Sequence, residues 1–505
     1  MGEEYFDVLI MGAGLSGIDA AYHLQKYCPK KSYVILEQRQ RIGGTWDLFR
    51  YPGIRSDSDM LTMGYSFRPW TDPKAIAPGG DIRNYVTATA RDAGIDRHIR
   101  FRHRVQRAAW SSNDATWKVT AVREDADGRE EQVTLTCNFL FSCAGYYRYR
   151  AGHLPEFPDI ERFAGRIIHP QAWPEDFDYA GKRIVIIGSG ATAVTLLPAL
   201  AKTAAHVTML QRSPTYIVSM PEQDAIANFL RRVMPAAWAY GISRWKNIAY
   251  MMYVYQLAQR FPNFVKTGII QKISKALGPD YDVSTHFTPR YNPWEQRLCL
   301  VPDGDFFEAI KAGRGSVATG QIERFTENGI RLRSGEELQA DIVVTATGLV
   351  LQAFGGAALE VDGRTVDLGQ TLAYKGVMLS GVPNLASVFG YINASWTLKA
   401  DLICNYVCRL LNLMDRKGAR QVTPRPGPET AAAPFVERFS SGYVQRAIAT
   451  WPKQGSNAPW RVYQNYLRDV WSLKWSPVNN KALEFSNPAE APSRPAPETA
   501  RQQVA

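Results

Sequence analysis

Two glycine-rich turns in this 505-residue chain are followed, at nearly equal distances, by residues of opposite charge. Gly12-x-Gly14-x-x-Gly17 leads to Glu37, 25 residues after Gly12. Gly188-x-Gly190-x-x-Ala193 leads to Gln211 and then Arg212, 24 residues after Gly188. A carboxylate accepts hydrogen bonds from a free ribose 2′-hydroxyl and repels a 2′-phosphate, whereas an arginine offers a phosphate a planar fork of donors. The first site therefore suits an adenosine without a 2′-phosphate, as in FAD or NAD, and the second suits NADPH. Read alone, Arg212 also fits a solvated surface arginine.

Each turn needs a strand before it and a helix after it. The apolar run Val8 to Met11 predicts a buried strand, followed by a helical pattern to about Tyr27 and a second strand from Tyr33 to Leu36. Ile184 to Ile187 and His206 to Leu210 repeat the arrangement around the second turn. These are β-turn-α-β units of the dinucleotide-binding kind, with the pyrophosphate on the free N–H groups of the helix N-terminus. Around the first turn the expected cofactor-binding residues are Gly12, Gly14, Ser16, Gly17 and Glu37. The stretch after it adds Gly44, Thr45, Trp46, Asp47 and Asp57, and Val105 completes that set. Around the second turn they are Gly188, Ser189, Gly190, Ala191, Thr192, Gln211 and Arg212.

The predicted fold class is α/β with two Rossmann-like domains. Two further buried strands, FLFSCAG (Phe139 to Gly145) and ADIVVTATG (Ala340 to Gly348), end in small residues and mark crossings between them. The expected division is an FAD-binding domain from residues 1–145 and 336–486, and an NADPH-binding domain inserted over 146–335. A helical insertion is expected at about 222–290, and a disordered Pro/Ala-rich tail at 487–505.

The 59 Lys and Arg against 48 Asp and Glu give a net charge of +11, which favours anionic ligands or anionic membrane surfaces. No basic run interleaved with aromatics supports nucleic-acid binding. Six cysteines without a CxxC pair make no disulfide framework, and seven histidines without HxxxH or HExxH spacing indicate no metal site. A strand beginning by about Phe6 leaves no room for a signal peptide, and no stretch has the roughly 18 apolar residues of a membrane span. A cytoplasmic protein is expected.

Two dinucleotide sites in one chain indicate a flavoprotein reduced by NADPH. The stretch IGGTWDLFRYPGIRSDSDM, where a disulfide reductase of this architecture needs two cysteines, has none. Dithiol relay chemistry is excluded, and oxygen or an external acceptor remains.

That stretch, with Gly43-Gly44-x-Trp46, Tyr51-Pro52-Gly53 and Asp57, resembles one fingerprint of the flavin-dependent Baeyer–Villiger monooxygenases. Their other fingerprint, FxGxxxHxxxW followed by Pro or Asp, is matched at Phe163, Gly165, His169, Trp173 and Pro174. Longer segments such as IGSGATAVTLLPALA and YNPWEQRLCLVP are similar to the ethionamide-activating subgroup, and the resemblance covers roughly Phe6 to Pro488.

The resemblance implies an NADPH- and O2-dependent enzyme that turns linear or aryl ketones into esters or lactones through a peroxyflavin. Sulfide and thioamide S-oxidation is implied as a side activity. It places the cation that stabilises developing oxygen anions at Arg297, and the acid that orients it at Asp57; an Arg–Asp pair is equally a structural salt bridge. Many family members carry lysine before that arginine and use it on the 2′-phosphate. Here Gln296 stands there, as in the ethionamide-activating subgroup, so NADPH preference leans on Arg212. The resemblance gives Phe163, Gly165, His169 and Trp173 a domain-coupling role, with a buried structural histidine as the alternative for His169. Two other functions stay open: an S- or N-oxygenase without ketone activity, and a flavin-binding protein without turnover.

From Glu222 to about Leu277 the chain is helical, aromatic and basic. This tract suits a wall of the substrate approach, a peripheral membrane surface, or an ordinary helical subdomain. The expected partners are the ketone or sulfide substrate and O2; the oligomeric state is not readable.

Overall fold

The computed structural model of the chain describes residues 4–125, 127–435 and 440–488. The tail expected from 487 onward lies, from 489, outside them.

The strand Glu4–Met11 runs at the centre of a nine-stranded sheet, parallel to Tyr33–Leu36 on one side and to Glu130–Ser142 on the other. Both of its faces are covered, which is why Val8 to Met11 read as one apolar run. Val8, Ile10 and Phe141 face the helices Leu15–Tyr27 and Trp396–Lys417, while Leu9, Met11 and Leu140 face the core around Trp110 and Trp117. An antiparallel meander, His103–Ser111, Thr116–Glu124 and Glu130–Ser142, extends the sheet.

A second sheet of five strands is parallel throughout, in the order Gly315–Thr319, His206–Gln211, Arg183–Ile187, Ile342–Thr345, Arg166–Ile168. The strand Ile342–Thr345, expected beyond residue 336 to belong to the first domain, thus lies inside the second sheet. Fully buried parallel strands share the same apolar run, and nothing in ADIVVTATG says which sheet it joins. The return to the first sheet comes later, where Ala358–Val361 pairs with residues 107–110. The outgoing and returning crossings run side by side: the N–H groups of Arg148 and His153 donate to the carbonyls of Val350 and Gly348, and that of Gln352 donates to Tyr146.

The helical excursion consists of Ala225–Val233, Ala236–Arg260, Pro262–Leu277 and the short Val283–Phe287. Expected as an insertion in the second domain, it packs against both sheets' halves of the molecule. The buried Arg244 guanidinium donates to the carbonyls of Leu61, Thr62 and Gly64, and Tyr240 donates to the Tyr65 carbonyl, which pins the long helix to the first half. Ile273 of the next helix packs into the second core. Among the described residues, no helix is long and apolar enough to cross a membrane.

Candidate functional site: a cleft between two nucleotide-type turns

Both glycine turns open onto one cavity of about 1180 Å³. Gly12 and Gly188 begin their turns at φ +99° and +130°, and a Cβ there would lie 2.8 Å from the Cys143 carbonyl oxygen and 2.3 Å from that of Ala346. Any larger residue would push the turn off the neighbouring strand end. The helices that follow start at Gly14 and Gly190 without a side-chain cap, so their first N–H groups are left for a ligand.

Gly12, Gly14, Ser16, Glu37, Gly44, Thr45, Trp46, Asp57 and Val105 line the cavity on the first side. Gly188, Ser189, Gly190, Ala191, Thr192 and Arg212 line it on the second. Gly14 and Gly44 face one another so closely that a Cβ on Gly44 would stand 3.0 Å from the Gly14 Cα, leaving a backbone-walled cradle of the kind a pyrophosphate needs. Glu37 is 3 % exposed; its two carboxylate oxygens accept the N–H groups of Ala13 (2.7 Å) and Arg39 (2.8 Å), while burial pushes its carboxyl up. Trp396 Nε1 donates to Ser16 Oγ at 2.8 Å, tying the first helix to the helix Trp396–Lys417. Arg212 is exposed on the opposite wall. These residues fit a flavin adenine dinucleotide along the first turn and a phosphorylated adenosine at the second.

Three expected cofactor contacts do not face this space. Gly17 packs the first helix onto its strand, where a Cβ would strike the Gly12 carbonyl oxygen at 1.8 Å. The buried Asp47 carboxylate is drawn to Arg39 Nε (2.9 Å) and Arg50 Nη2 (2.7 Å). Gln211 points into the core, donating to the His286 carbonyl (2.8 Å) and to Thr319 Oγ1 (2.9 Å).

Arg297 and Asp57 form an ion pair on the cavity wall. The Asp57 carboxylate holds the guanidinium far above its usual range, so Arg297 is a permanent cation. Gln296 donates to Ser440 Oγ at 3.3 Å. Beside Arg297 opens a small apolar pocket walled by Phe389, Tyr391, Trp396, Tyr443 and Trp451. Tyr146 stacks on Trp396 with ring centroids 5.1 Å apart, its hydroxyl is 2.5 Å from that of Tyr147, and burial pushes its phenol up. Sequence reasoning missed this aromatic wall. Its residues come from segments around 146, 390 and 445 that share no spacing, and only the Tyr-Tyr pair after the Gly145 crossing signals it.

The stretch after the first turn belongs physically to the second half. Leu48, Phe49 and Tyr51 sit in the second core. Gly53 lies flush against the helix Ala191–Leu200, where a Cβ would be 2.6 Å from the Ala199 Cβ. Arg55 Nη1 donates to Asp305 Oδ2 at 2.5 Å.

The fingerprint from Phe163 to Trp173 straddles the second sheet. Phe163 packs with Phe325 on one face, and Trp173 packs with Phe177 and Tyr179 on the other. A Cβ on Gly165 would lie 2.4 Å from the Asp341 carbonyl oxygen. His169 Nδ1 accepts the Gln171 N–H at 3.1 Å, and burial lowers the imidazole's basicity. Its ring lies against Gly152 on the outgoing crossing, where a Cβ would be 1.9 Å from the His169 Cε1.

Two parallel nucleotide-type units facing one cleft, with a fixed cation between them, define a two-nucleotide oxidoreductase architecture. The model of the flavin-binding monooxygenase-like family matches residues 7–380. The FAD-containing monooxygenase EthA of Mycolicibacterium smegmatis is 54% identical over 96% of this chain and 97% of its own. The protein of the same name from Mycobacterium tuberculosis is 55% identical over 98% and 99%. A solved steroid monooxygenase bound to NADP is similar in fold, with a TM-score of 0.72 at 22% identity, over 96% of this chain and 100% of that one. The chain belongs to the flavin-binding monooxygenase-like family.

Proposed function

We propose that the protein is an FAD-containing, NADPH- and O2-dependent monooxygenase that converts linear or aryl ketones to esters or lactones, with sulfide and thioamide S-oxidation as a side activity. The observation that carries this reading is the Arg297–Asp57 pair on the wall of a cleft shared by both nucleotide turns, next to an apolar aromatic pocket. Bound FAD, reduced by NADPH, supplies the activation of oxygen. Gly14 and Gly44 would hold its pyrophosphate, and Glu37 would accept from its ribose hydroxyls with the lone pairs that Ala13 and Arg39 leave. Arg212 takes the 2′-phosphate of NADPH with a charge-assisted fork.

Asp57 fixes the Arg297 guanidinium, so negative charge developing on a ketone oxygen meets a cation already in place and needs no reorganisation. Phe389, Trp396 and Trp451 keep water away from that charge and seat the apolar part of the substrate. His169, whose basicity burial lowers, holds the two crossings in position and moves no proton.

The test is product analysis by mass spectrometry after incubation with NADPH, air, one linear ketone, one aryl ketone and one aryl sulfide. Esters carrying one added oxygen are expected. Sulfoxide without ester would make the protein a heteroatom oxygenase and remove the roles given to Arg297 and Asp57.

A further inference from the structure

Exposed apolar side chains are concentrated in one part of the molecule. Among the described residues sixteen large ones are exposed, and thirteen of them lie between Ile226 and Phe264 or between Leu467 and Trp475. They form stripes at helical spacing: Ile226, Phe229 and Val233 on the first helix of the excursion, and Trp238, Ile242, Trp245 and Tyr253 on the long one. Leu467, Trp471 and Trp475 form another, four residues apart. The Trp245 and Tyr466 rings, 5.9 Å apart, join the last stripe to the long helix. The opposite side of the long helix, with Tyr240, Arg244 and Ile248, is already buried against the fold. A helix apolar on both sides is normally enclosed, and this one leaves its indoles in water, with Trp238 70 % exposed.

Every exposed charge within these helical segments is basic, and the one acid among them, Asp469, is buried. From Ala225 to Leu277 there are eight Lys and Arg and no Asp or Glu. Arg232, Arg260, Lys272 and Lys275 are exposed, and Lys474 stands exposed between the two tryptophans of the last stripe. Trp and Tyr settle at the boundary between headgroups and acyl chains, and Lys and Arg beside them attract anionic headgroups.

We propose that this face docks the protein on an anionic lipid bilayer, with the indoles of Trp238, Trp245, Trp471 and Trp475 at the headgroup boundary. A protein partner of this chemistry would have to be both acidic and broadly apolar, whereas an anionic bilayer is both over any area. The face also adjoins the reaction pocket, since Tyr391 lines both the pocket beside Arg297 and a cleft under Met251 and Met252 of the long helix.

The test uses the full-length flavin-loaded protein and vesicles of phosphatidylcholine, alone or with phosphatidylglycerol, in a flotation assay. Binding to the anionic vesicles and little to the neutral ones is expected, weakening about tenfold between low and high salt. Trp238→Ser, and separately the pair Trp471→Ser and Trp475→Ser, should each weaken binding about tenfold. Flavin absorbance and melting temperature report that the variants are folded. Failure of a monodisperse preparation to float with anionic vesicles at low salt overturns the proposal, as does unchanged binding by both folded variants. Concentration-dependent assembly in light scattering, abolished by the same substitutions and without vesicle binding, would instead assign the face to a second copy of the chain.

Discussion

Glu37 and Arg212 stand at equivalent ends of two similar units and both line the cavity, yet one is almost wholly buried and the other exposed. Glu37 accepts two backbone N–H groups of its own unit and is fixed before any ligand arrives. At the second unit the buried place goes to Gln211, which braces His286 and Thr319, and the charge is moved one residue outward. The same turn thus serves two purposes. A buried, pre-bonded acid suits a nucleotide that stays, and an exposed cation suits one that must arrive and leave during turnover. The helices after the turns differ too. The first carries Asp19 and His23 in its buried face, whereas the second is almost wholly apolar, with Pro198 inside it.

The largest effect is expected where the two units meet. Arg297→Ala should lower ester formation by about a hundred- to a thousandfold while NADPH oxidation continues, as expected for losing one preorganised donor to a developing oxyanion. Ester yield against NADPH consumption measures it, and equal loss of both would place Arg297 in nucleotide binding rather than chemistry. Next, Gly188→Ala must move the Ala346 carbonyl and adopt a positive φ, at about 2–4 kcal/mol. At Gly190 a Cβ meets open space, so Gly190→Ala should leave the melting temperature nearly unchanged and raise KM for NADPH. Equal melting temperatures for the two variants would break the picture of a tight turn followed by an open cradle.

Both nucleotide units were legible in the sequence because their signals are local: a continuous apolar run, a tight glycine turn, a helix and a terminal charge. What escaped depends on contacts between distant segments. Asp47 follows Trp46 directly, and the approach of Arg39, Arg50 and, at 3.8 Å, Arg83 holds it out of the cleft. Arg244 is one basic residue among eight in its tract, and nothing in the spacing says that it alone is buried on the carbonyls of Leu61, Thr62 and Gly64. The strand Ile342–Thr345 reads the same for either sheet. The Phe163-to-Trp173 fingerprint was legible as a pattern, but its packing on both faces of one sheet required the structure.

Arg212→Ala sharpens the comparison of the two charges directly. Loss of a charge-assisted fork to a phosphate should raise KM for NADPH by about ten- to a hundredfold and leave that for NADH nearly unchanged. Steady-state kinetics with both cofactors reads this. An equal rise for both would remove the 2′-phosphate from Arg212's account.

The smallest expected effect separates the two helices by pH. His23 Nδ1 lies 3.1 Å from Asp19 Oδ1, and its Nε2 lies 3.6 Å from Asp401 Oδ1 on the helix Trp396–Lys417; Arg244, Cys404 and Tyr65 also face the cluster. Burial opposes the charge on His23, but the Asp19 and Asp401 carboxylates prevail and hold the imidazole up to about 9. Burial, reinforced by Asp401, pushes the Asp19 carboxyl up to about 7. Both groups bind a proton more tightly in the folded chain than in the unfolded one. Their stabilisation is complete below the unfolded values and is lost as pH rises, for Asp19 up to about 7 and for His23 from about 6.5 to 9. Thermal unfolding should therefore show stability falling by about 1–3 kcal/mol between pH 6.5 and 9, and His23→Gln should flatten that slope. A slope that survives the substitution would move the pH dependence out of the first helix and remove that difference between the two units.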